Sequence, residues 1–276
     1  MSRSLAGPPV RDGRPLLLCL PHAGGGPAAF ARWPQLLGRS AQVAALCPPG
    51  RGTRYGEPCP TRLEDLVHDL AEDLAEHLTP TYALYGHSMG GLVAHALGIH
   101  LSELAARGAV PAAPMAVVVA GCRPPGSAPA APLLELLARC ADPDPPGDGG
   151  EPDAGLVAAL RRLGGIPPEI LGHAEWLEVM LPAIRADLHL CVDVPPLTRR
   201  LTCEVLALAG TRDPIAAPEW MRGWARGTTG RFRLREIPAE HFFHQTAAPT
   251  VTGAISGLLG RLGTSAVAPG RSLTAR

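Results

Sequence analysis

The sequence contains no lysine, since all 25 of its basic residues are arginine, so it lacks the side-chain amine that a Schiff-base mechanism needs. Its 25 acidic residues leave a net charge of zero, which argues against nucleic acid or an anionic membrane as the main partner. The seven cysteines are odd in number and widely spaced, without a Cys-x-x-Cys pair. Neither a disulfide framework nor a zinc site is therefore expected.

The N-terminal region also lacks a targeting signal. Residues 1–14 are polar, and the first apolar run, Leu16–Leu20, is too short for a signal sequence or a membrane span. We therefore expect a protein of the reducing cytoplasm that needs no metal or other cofactor.

What the chain does have is a series of short apolar runs, within a length and a hydrophobic content of 46 % that fit one globular domain. Runs without polar alternation are typical of parallel strands buried on both faces. They predict strands at residues 15–20, 42–47, 81–85, 115–120, 202–209 and 231–237. Helical patterns fall between and after them, at residues 27–38, 62–78, 91–106, 218–226 and 247–262. This alternation predicts an α/β fold with a mostly parallel central sheet and helices on both faces.

The alternation stops between residues 123 and 200. Segments rich in proline, glycine and aspartate separate three helical patterns there, at residues 133–140, 154–163 and 175–190. We interpret this block as an inserted helical lid, which would exclude water from a site below it. The predicted organisation is a flexible tail at 1–14, a core at 15–122, the lid at 123–200, the rest of the core at 201–262 and a second flexible tail at 263–276.

The chain is organised around Gly86-His-Ser-Met-Gly90, which joins a predicted strand to a predicted helix. A serine between two glycines in this position is typical of the nucleophile elbow of α/β-hydrolases. Side chains two residues on either side of the serine would collide with the strand or the helix, which favours glycine at both places. The sequence therefore predicts Ser88 as a nucleophile.

Two other residues complete a predicted catalytic triad in the chain order serine, acid, histidine. Asp213 directly follows the strand at 202–209, and His241 follows the last strand, at 231–237. Asp187 and Asp193 are competing acids, but both fall in the lid block and follow no core strand. His244 could form a metal pair with His241, although a pair without a third ligand is a weak signal.

A glycine-rich loop at residues 21–26 follows the first strand, where this fold places one amide of the oxyanion hole. We predict the backbone N–H groups of Ala23 and Met89 as the two donors. The other histidines near the elbow, His87, His95 and His100, are expected to be packed or at the surface.

Several longer motifs resemble those of one family, at residues 20–26, 49–52, 85–91, 160–168, 181–187 and 241–243. They resemble the discrete type II thioesterases of polyketide and non-ribosomal peptide synthetases over residues 16–262. The resemblance implies the α/β-hydrolase fold, the triad Ser88, Asp213 and His241, and hydrolysis of acyl thioesters. The implied substrate is carried on the phosphopantetheine arm of an acyl or peptidyl carrier protein, and some members of the family also accept acyl-CoA.

One position departs from the family pattern, because Glu240 stands where a small residue usually precedes the catalytic histidine. An acyl group bound to a carrier protein is favoured over acyl-CoA as the substrate, since no arginine cluster beside the site would bind the phosphates of CoA. Arginines in the lid could instead meet an acidic carrier helix, or be solvated: Arg161, Arg162 and Arg185.

Two other functions stay open, a small-molecule carboxylester hydrolase and, less favoured, a non-catalytic hydrolase-fold binding protein. A cyclising terminal thioesterase is less expected, because the chain begins close to its first strand.

Overall fold

A computed structural model describes residues 2–5, 12–141, 153–166, 173–192, 194 and 196–266. Six strands form one sheet in the order β2-β1-β3-β4-β5-β6, and every neighbouring pair is parallel. The strands are β1 (Leu16–Leu20), β2 (Gln42–Ala45), β3 (Tyr82–His87), β4 (Ala116–Ala120), β5 (Glu204–Gly210) and β6 (Phe232–Ile237). The predicted mostly parallel α/β sheet is confirmed.

The helices lie between and after the strands. They are α1 (Trp33–Leu37), α2 (Leu63–Leu74), α3 (Met89–Ala106), α4 (Ala131–Ala141), α5 (Ala154–Leu163), α6 (Ala174–His189), α7 (Pro218–Met221), α8 (Phe243–Thr246) and α9 (Ala248–Ala266). Short 3-10 turns occupy Pro27–Phe30, Gly52–Arg54 and Arg222–Gly227. Within the described residues, none of these helices combines the length and the apolar character that a membrane crossing requires.

The sheet is buried on both faces, which explains why its strands are continuously apolar. In β1, Leu16, Leu18 and Leu20 belong to one core cluster, which is shared with α2 and α3. The side chains between them, Leu17 and Cys19, belong to the cluster on the other face, which is shared with α1 and α9. Successive side chains of a strand point to opposite faces, so both faces need an apolar cover.

The strands on the two sides of β1 are added in opposite directions across the sheet, although all of them run parallel. From β1 the chain crosses to β2 on one side, and from β2 it returns past β1 to β3 on the other. In parallel sheets such a reversal leaves a crevice outside the carboxyl ends of the two strands. The glycine-rich loop follows β1 and Ser88 follows β3, so both meet at this crevice.

Some predicted boundaries are wrong. The helix predicted at 27–38 is a 3-10 turn followed by the short α1, because Pro34 lacks the N–H that a continuous helix needs and instead lies in the first turn of a new one. The strand predicted to end at residue 85 runs through His87, and α3 begins at Met89. The turn between them is therefore Ser88 alone.

Both predicted flexible tails are partly ordered. Residues 2–5 bind to the body of the protein: the Ser4 N–H donates to an Asp73 carboxylate oxygen at 2.8 Å, and the buried Arg54 donates to the Ser4 hydroxyl at 2.9 Å. At the other end α9 continues to residue 266, past the predicted boundary at 262. Residues 1, 6–11 and 267–276 lie outside the described part of the chain.

The three helices α4, α5 and α6 lie between β4 and β5 in sequence, where the lid is predicted. Their buried apolar side chains form a cluster of their own, separate from the two clusters of the sheet. Ala23, in the loop after β1, packs against this cluster and against a sheet cluster. The three helices therefore contact the core beside the predicted active site.

Candidate active site

The turn that carries Ser88 has an unusual backbone. Ser88 has φ 54° and ψ −123°, and its N–H donates to the Ala120 carbonyl at the end of β4 at 2.8 Å. A positive φ is strained for a residue with a side chain and is found preferentially at functional sites. The strain directs the hydroxyl away from the sheet at the start of α3, where the positive end of the helix dipole lies.

The two glycines that flank Ser88, Gly86 and Gly90, lie so close to other backbone atoms that a side chain would not fit. A Cβ on Gly86 would lie 1.8 Å from the Gly90 oxygen, and a Cβ on Gly90 would lie 2.3 Å from the Leu20 carbonyl oxygen. Both neighbours are backbone atoms and cannot move aside as a side chain could. The steric reason for the two glycines that we inferred from the sequence is therefore present in the fold.

In the predicted triad, His241 lies within hydrogen-bond distance of both Ser88 and Asp213. His241 Nε2 is 3.1 Å from Ser88 Oγ, and His241 Nδ1 is 2.9 Å from Asp213 Oδ2. Asp213 and His241 are 3 % and 2 % exposed, so water competes little for these bonds. This arrangement allows the imidazole to accept a proton from the serine hydroxyl while the carboxylate holds its opposite nitrogen.

The Asp213 carboxylate is held from both sides. Its Oδ1 accepts the N–H groups of Ile215 at 2.8 Å and Ala216 at 3.1 Å, which leaves Oδ2 directed at the histidine. The loop with His241 can approach because residue 210 is a glycine: a Cβ there would lie 2.7 Å from the Ala239 oxygen. The end of β5 therefore sets the position of both the acid and the histidine loop.

Ser88 opens into a cavity of about 570 Å³. Ala23 and Met89, whose amides are the predicted oxyanion donors, both line it beside Ser88 and His241. The rest of the wall is mainly apolar. The segment 121–130 after β4 lines it, together with five leucines of the helices α4, α5 and α6: Leu133, Leu136, Leu160, Leu163 and Leu188. The cavity suits an apolar group bound next to the serine.

Histidines form a buried cluster next to the site, which no motif in the sequence indicates. His87 Nε2 lies 2.8 Å from the His241 carbonyl oxygen, which can only accept, so this nitrogen of His87 carries the proton. The other nitrogen of His87 faces the Tyr85 hydroxyl at 3.3 Å. The His244 ring stacks on His87 at 4.0 Å between centroids, and His22 lies 5.1 Å from His244.

Burial keeps this cluster neutral. Burial first, and then the proximity of His241 and Arg51, lower the pKa of His22 to about 3. Burial, followed by the charges of neighbouring histidines, lowers the pKa values of His87 and His244 well below the ordinary value. A neutral His87 can keep its hydrogen bond to the backbone of the histidine loop.

Neither of the two competing acids is seen to contact His241 in the described part of the chain. Asp187 is buried on α6 and forms an ion pair with Arg51, from the loop after β2. Asp193 lies outside the described residues. The Arg51–Asp187 pair joins two of the motifs that carried the family resemblance, which is the signal that could have revealed it.

The remaining predicted residues lie toward the surface. Glu240 is exposed although the next residue, His241, is buried, so its side chain points away from the triad. Of the three lid arginines, Arg162 pairs with Glu135, and Arg185 pairs with Asp153 and donates to the Cys140 carbonyl at 2.9 Å. Arg161 is exposed.

Comparison with known proteins assigns the chain to a family. The sequence profile of the thioesterase domain matches residues 15–259. Over 233 residues the chain is 32 % identical to a probable cadicidin biosynthesis thioesterase of Streptomyces griseus, with 82 % of this chain and 57 % of that protein covered. The chain thus spans little more than half the length of this curated relative.

Two solved structures are similar over most of both chains. The RedJ thioesterase from the prodiginine biosynthetic pathway in Streptomyces coelicolor has a TM-score of 0.72 at 34 % identity, with 91 % of this chain and 88 % of that chain covered. The type II thioesterase BorB from the borrelidin biosynthetic cluster has a TM-score of 0.76 at 26 % identity, with 93 % and 98 % covered. Together with the family profile, which matches most of the sequence, these similarities show that the chain belongs to the thioesterase domain family.

Proposed function

We propose that this protein hydrolyses acyl thioesters carried on the phosphopantetheine arm of a carrier protein, through an acyl-serine intermediate on Ser88. The proposal rests on one observation, the continuous contact from Ser88 Oγ to His241 Nε2 at 3.1 Å and from His241 Nδ1 to Asp213 Oδ2 at 2.9 Å, at the floor of an apolar cavity. The relatives named as biosynthetic thioesterases support the choice of substrate class.

The proposed mechanism uses His241 as general base and then as general acid. His241 takes the proton of Ser88 as its oxygen attacks the thioester carbonyl, and the imidazolium is stabilised by Asp213. The N–H groups of Ala23 and Met89 stabilise the tetrahedral oxyanion. The thiol leaves with a proton from His241, a water molecule attacks the acyl-serine by the same route, and the free acid is released.

The thioester class can be separated from its closest alternative, a small-molecule carboxylester hydrolase. The same acyl chain is presented as carrier-bound thioester, as acyl-CoA and as oxygen ester, and hydrolysis is followed by intact mass and product analysis. We expect the carrier-bound thioester to have the highest kcat/KM. Comparable turnover of acyl-CoA would remove the carrier preference, and faster turnover of the oxygen ester would favour the alternative.

The role of Ser88 has its own test, which also addresses a non-catalytic binding protein. A fluorophosphonate probe is expected to label the wild-type protein and not Ser88→Ala, because only an activated serine is phosphonylated at a useful rate. Ser127→Ala, which changes another serine that lines the cavity, is the matched control and is expected to label as the wild type does. A wild type that stays unlabelled would contradict the proposal.

A further inference from the structure

A buried ion pair lies next to the glycine-rich loop. Arg51 is 8 % exposed and Asp187 is 1 % exposed, and the pair is bidentate: Arg51 Nη2 donates to Asp187 Oδ1 at 2.8 Å and Arg51 Nη1 donates to Oδ2. Removing two charges from water costs free energy that is recovered only when the remaining hydrogen-bonding groups are also satisfied. The other hydrogen-bond partners of this ion pair therefore indicate which part of the structure it fixes in place.

Those additional partners are backbone groups of the loop that follows β1. Asp187 Oδ2 accepts the Gly24 N–H at 2.7 Å, and Arg51 Nη1 donates to the Gly25 carbonyl at 3.2 Å. Arg51 also donates to the Pro49 carbonyl of its own loop, from Nε and from Nη2, at 3.3 Å each. The pair thus clamps the glycine-rich loop at two successive residues, directly after Ala23.

Packing supports the clamp. Gly24 has φ 74°, which favours glycine, and a Cβ there would lie 2.3 Å from Ile184 Cγ1 on α6. The loop backbone is therefore in direct contact with the helix that carries Asp187. A movement of α6 relative to the sheet would break both the contact and the hydrogen bond to Gly24.

We propose that Arg51 and Asp187 are positioning residues, which orient the Ala23 N–H toward the oxyanion by holding Gly24 and Gly25. This inference rests on the proposed function, because it assigns to Ala23 the stabilisation of that oxyanion. Since Asp187 belongs to α6, the pair also links the helices over the cavity to the oxyanion site. The site is then complete only while α6 is seated on the loop.

The chain contains a matched control pair. Arg54 lies three residues after Arg51, is 1 % exposed and binds Asp69 in the same bidentate way, at 2.7 and 2.9 Å. The further hydrogen bonds of its side chain are with Glu57 and Ser4, and none of them reaches the glycine-rich loop. A loss that both pairs share reports on the stability of the fold, and a loss confined to the first pair reports on the loop.

The experiment compares two double variants, Arg51→Met/Asp187→Leu and Arg54→Met/Asp69→Leu. Replacing both partners by apolar residues avoids an unpaired buried charge, so both proteins are expected to fold. We expect kcat, per active site titrated with the fluorophosphonate, to fall about tenfold to hundredfold in the first variant with KM nearly unchanged, because misplacement of one oxyanion donor weakens only the transition state. The second variant is expected to keep the wild-type kcat.

A second readout uses an acyl trifluoromethyl ketone, which forms an oxyanion on the serine, and the corresponding carboxylic acid product. The ketone is expected to lose affinity for the first variant by the same factor as kcat/KM, whereas the product acid binds as before. Should the first variant fail to fold, Arg51→Lys, which keeps the charge and loses the bidentate geometry, is expected to show a smaller fall of the same kind.

The results distinguish a failure of the positioning role of Arg51 and Asp187 from a failure of the proposed thioester hydrolysis. An active wild type together with equal kcat values in the two double variants, or in wild type and Arg51→Lys, overturns the positioning role and leaves the proposed function intact. A wild type that turns over no thioester overturns both.

Discussion

At the residue scale, the strained backbone of Ser88 depends on two glycines, because a Cβ at either position would collide with backbone atoms. The Cβ of an alanine at position 90 would lie 2.3 Å from the Leu20 oxygen and 2.5 Å from the Pro21 oxygen, and both are backbone atoms. The end of β1 and the start of α3 would have to separate to admit one methyl group. Such a separation would move Ser88 away from the loop after β1.

Gly90→Ala is therefore expected to lower the free energy of unfolding by about 1–3 kcal/mol, the usual cost of overpacking, and to reduce thioesterase activity. Gly260→Ala on α9 is the matched control, since a Cβ at Gly260 meets nothing within 4 Å. That change is expected to be neutral or to stabilise the helix by about 0.5–1 kcal/mol. Urea unfolding and kcat/KM of both variants provide the measurement, and equal stabilities would contradict the steric argument.

The acid of the proposed triad allows a second prediction at this scale. Asp213→Asn keeps the shape of the side chain, but an amide nitrogen facing His241 Nδ1 would favour the wrong tautomer of the imidazole. In a serine protease the equivalent change lowers kcat by about 10⁴, and we expect a fall of about 10³–10⁴ here. The fall in kcat is measured with a carrier-bound thioester, and the thermal unfolding temperature is the control for stability. A loss of kcat below about tenfold would remove Asp213 from the proposed triad.

At the scale of elements, the helices between β4 and β5 supply part of the apolar wall of the cavity. Leu160 and Leu163 on α5 and Leu133 and Leu136 on α4 point into it, while Leu134 is 51 % exposed. The acyl group of a substrate would lie against these leucines. The chain length that the protein accepts should therefore depend on side-chain volume at these positions.

Leu163→Trp is expected to lower kcat/KM for a decanoyl thioester by about tenfold or more while acetyl turnover changes little, because the larger ring takes up cavity volume that a long acyl chain needs and a short one does not. Leu134→Trp, on the exposed face of α4, is the matched control and is expected to leave both substrates unaffected. Rates with a series of acyl lengths on one carrier protein give the result. An equal loss for acetyl and decanoyl groups would show that this part of the cavity does not receive the acyl chain.

At the scale of the whole molecule, buried neutral histidines make stability depend on pH. Burial lowers the pKa of His95 to about 4, and burial, His241 and Arg51 lower that of His22 to about 3. His87 and His244 are lowered well below the ordinary value, chiefly by burial. In the unfolded chain each returns to about 6.5, so below that pH the unfolded state binds more protons than the folded state.

The free energy of unfolding is therefore expected to be at its full value above about pH 6.5 and to fall as the pH is lowered toward about 4, by about 1.4 kcal/mol per pH unit for each of these histidines. His95→Gln should reduce this slope by about one histidine, because an amide can keep the bond to the Gly227 carbonyl without titrating. Urea unfolding at several pH values measures the slope. A wild-type stability that stays constant down to about pH 5 would contradict the expectation.

Much of the fold could be predicted because it is local in sequence. The six apolar runs identified the six strands, and only their ends differ. Helices were predicted less well where proline intervened, as at Pro34, because one residue without an N–H divides a periodic pattern into two short elements. The ordered residues 2–5 were missed, since their stability comes from partners such as Arg54 and Asp73, far along the chain.

Sequence patterns alone predict the type of sheet, the elbow at Ser88 and the order of the three triad candidates, because buried parallel strands and tight turns each leave a local pattern. Which distant groups meet is known from the folded chain: His87 meets the His241 carbonyl, and Arg51 meets Asp187 and the glycine-rich loop. The contacts of His87 with His241 and of Arg51 with Asp187 join residues that are separated by well over a hundred positions. No local pattern encodes them, because their geometry follows from the parallel register of the sheet and from the packing of α6 against it.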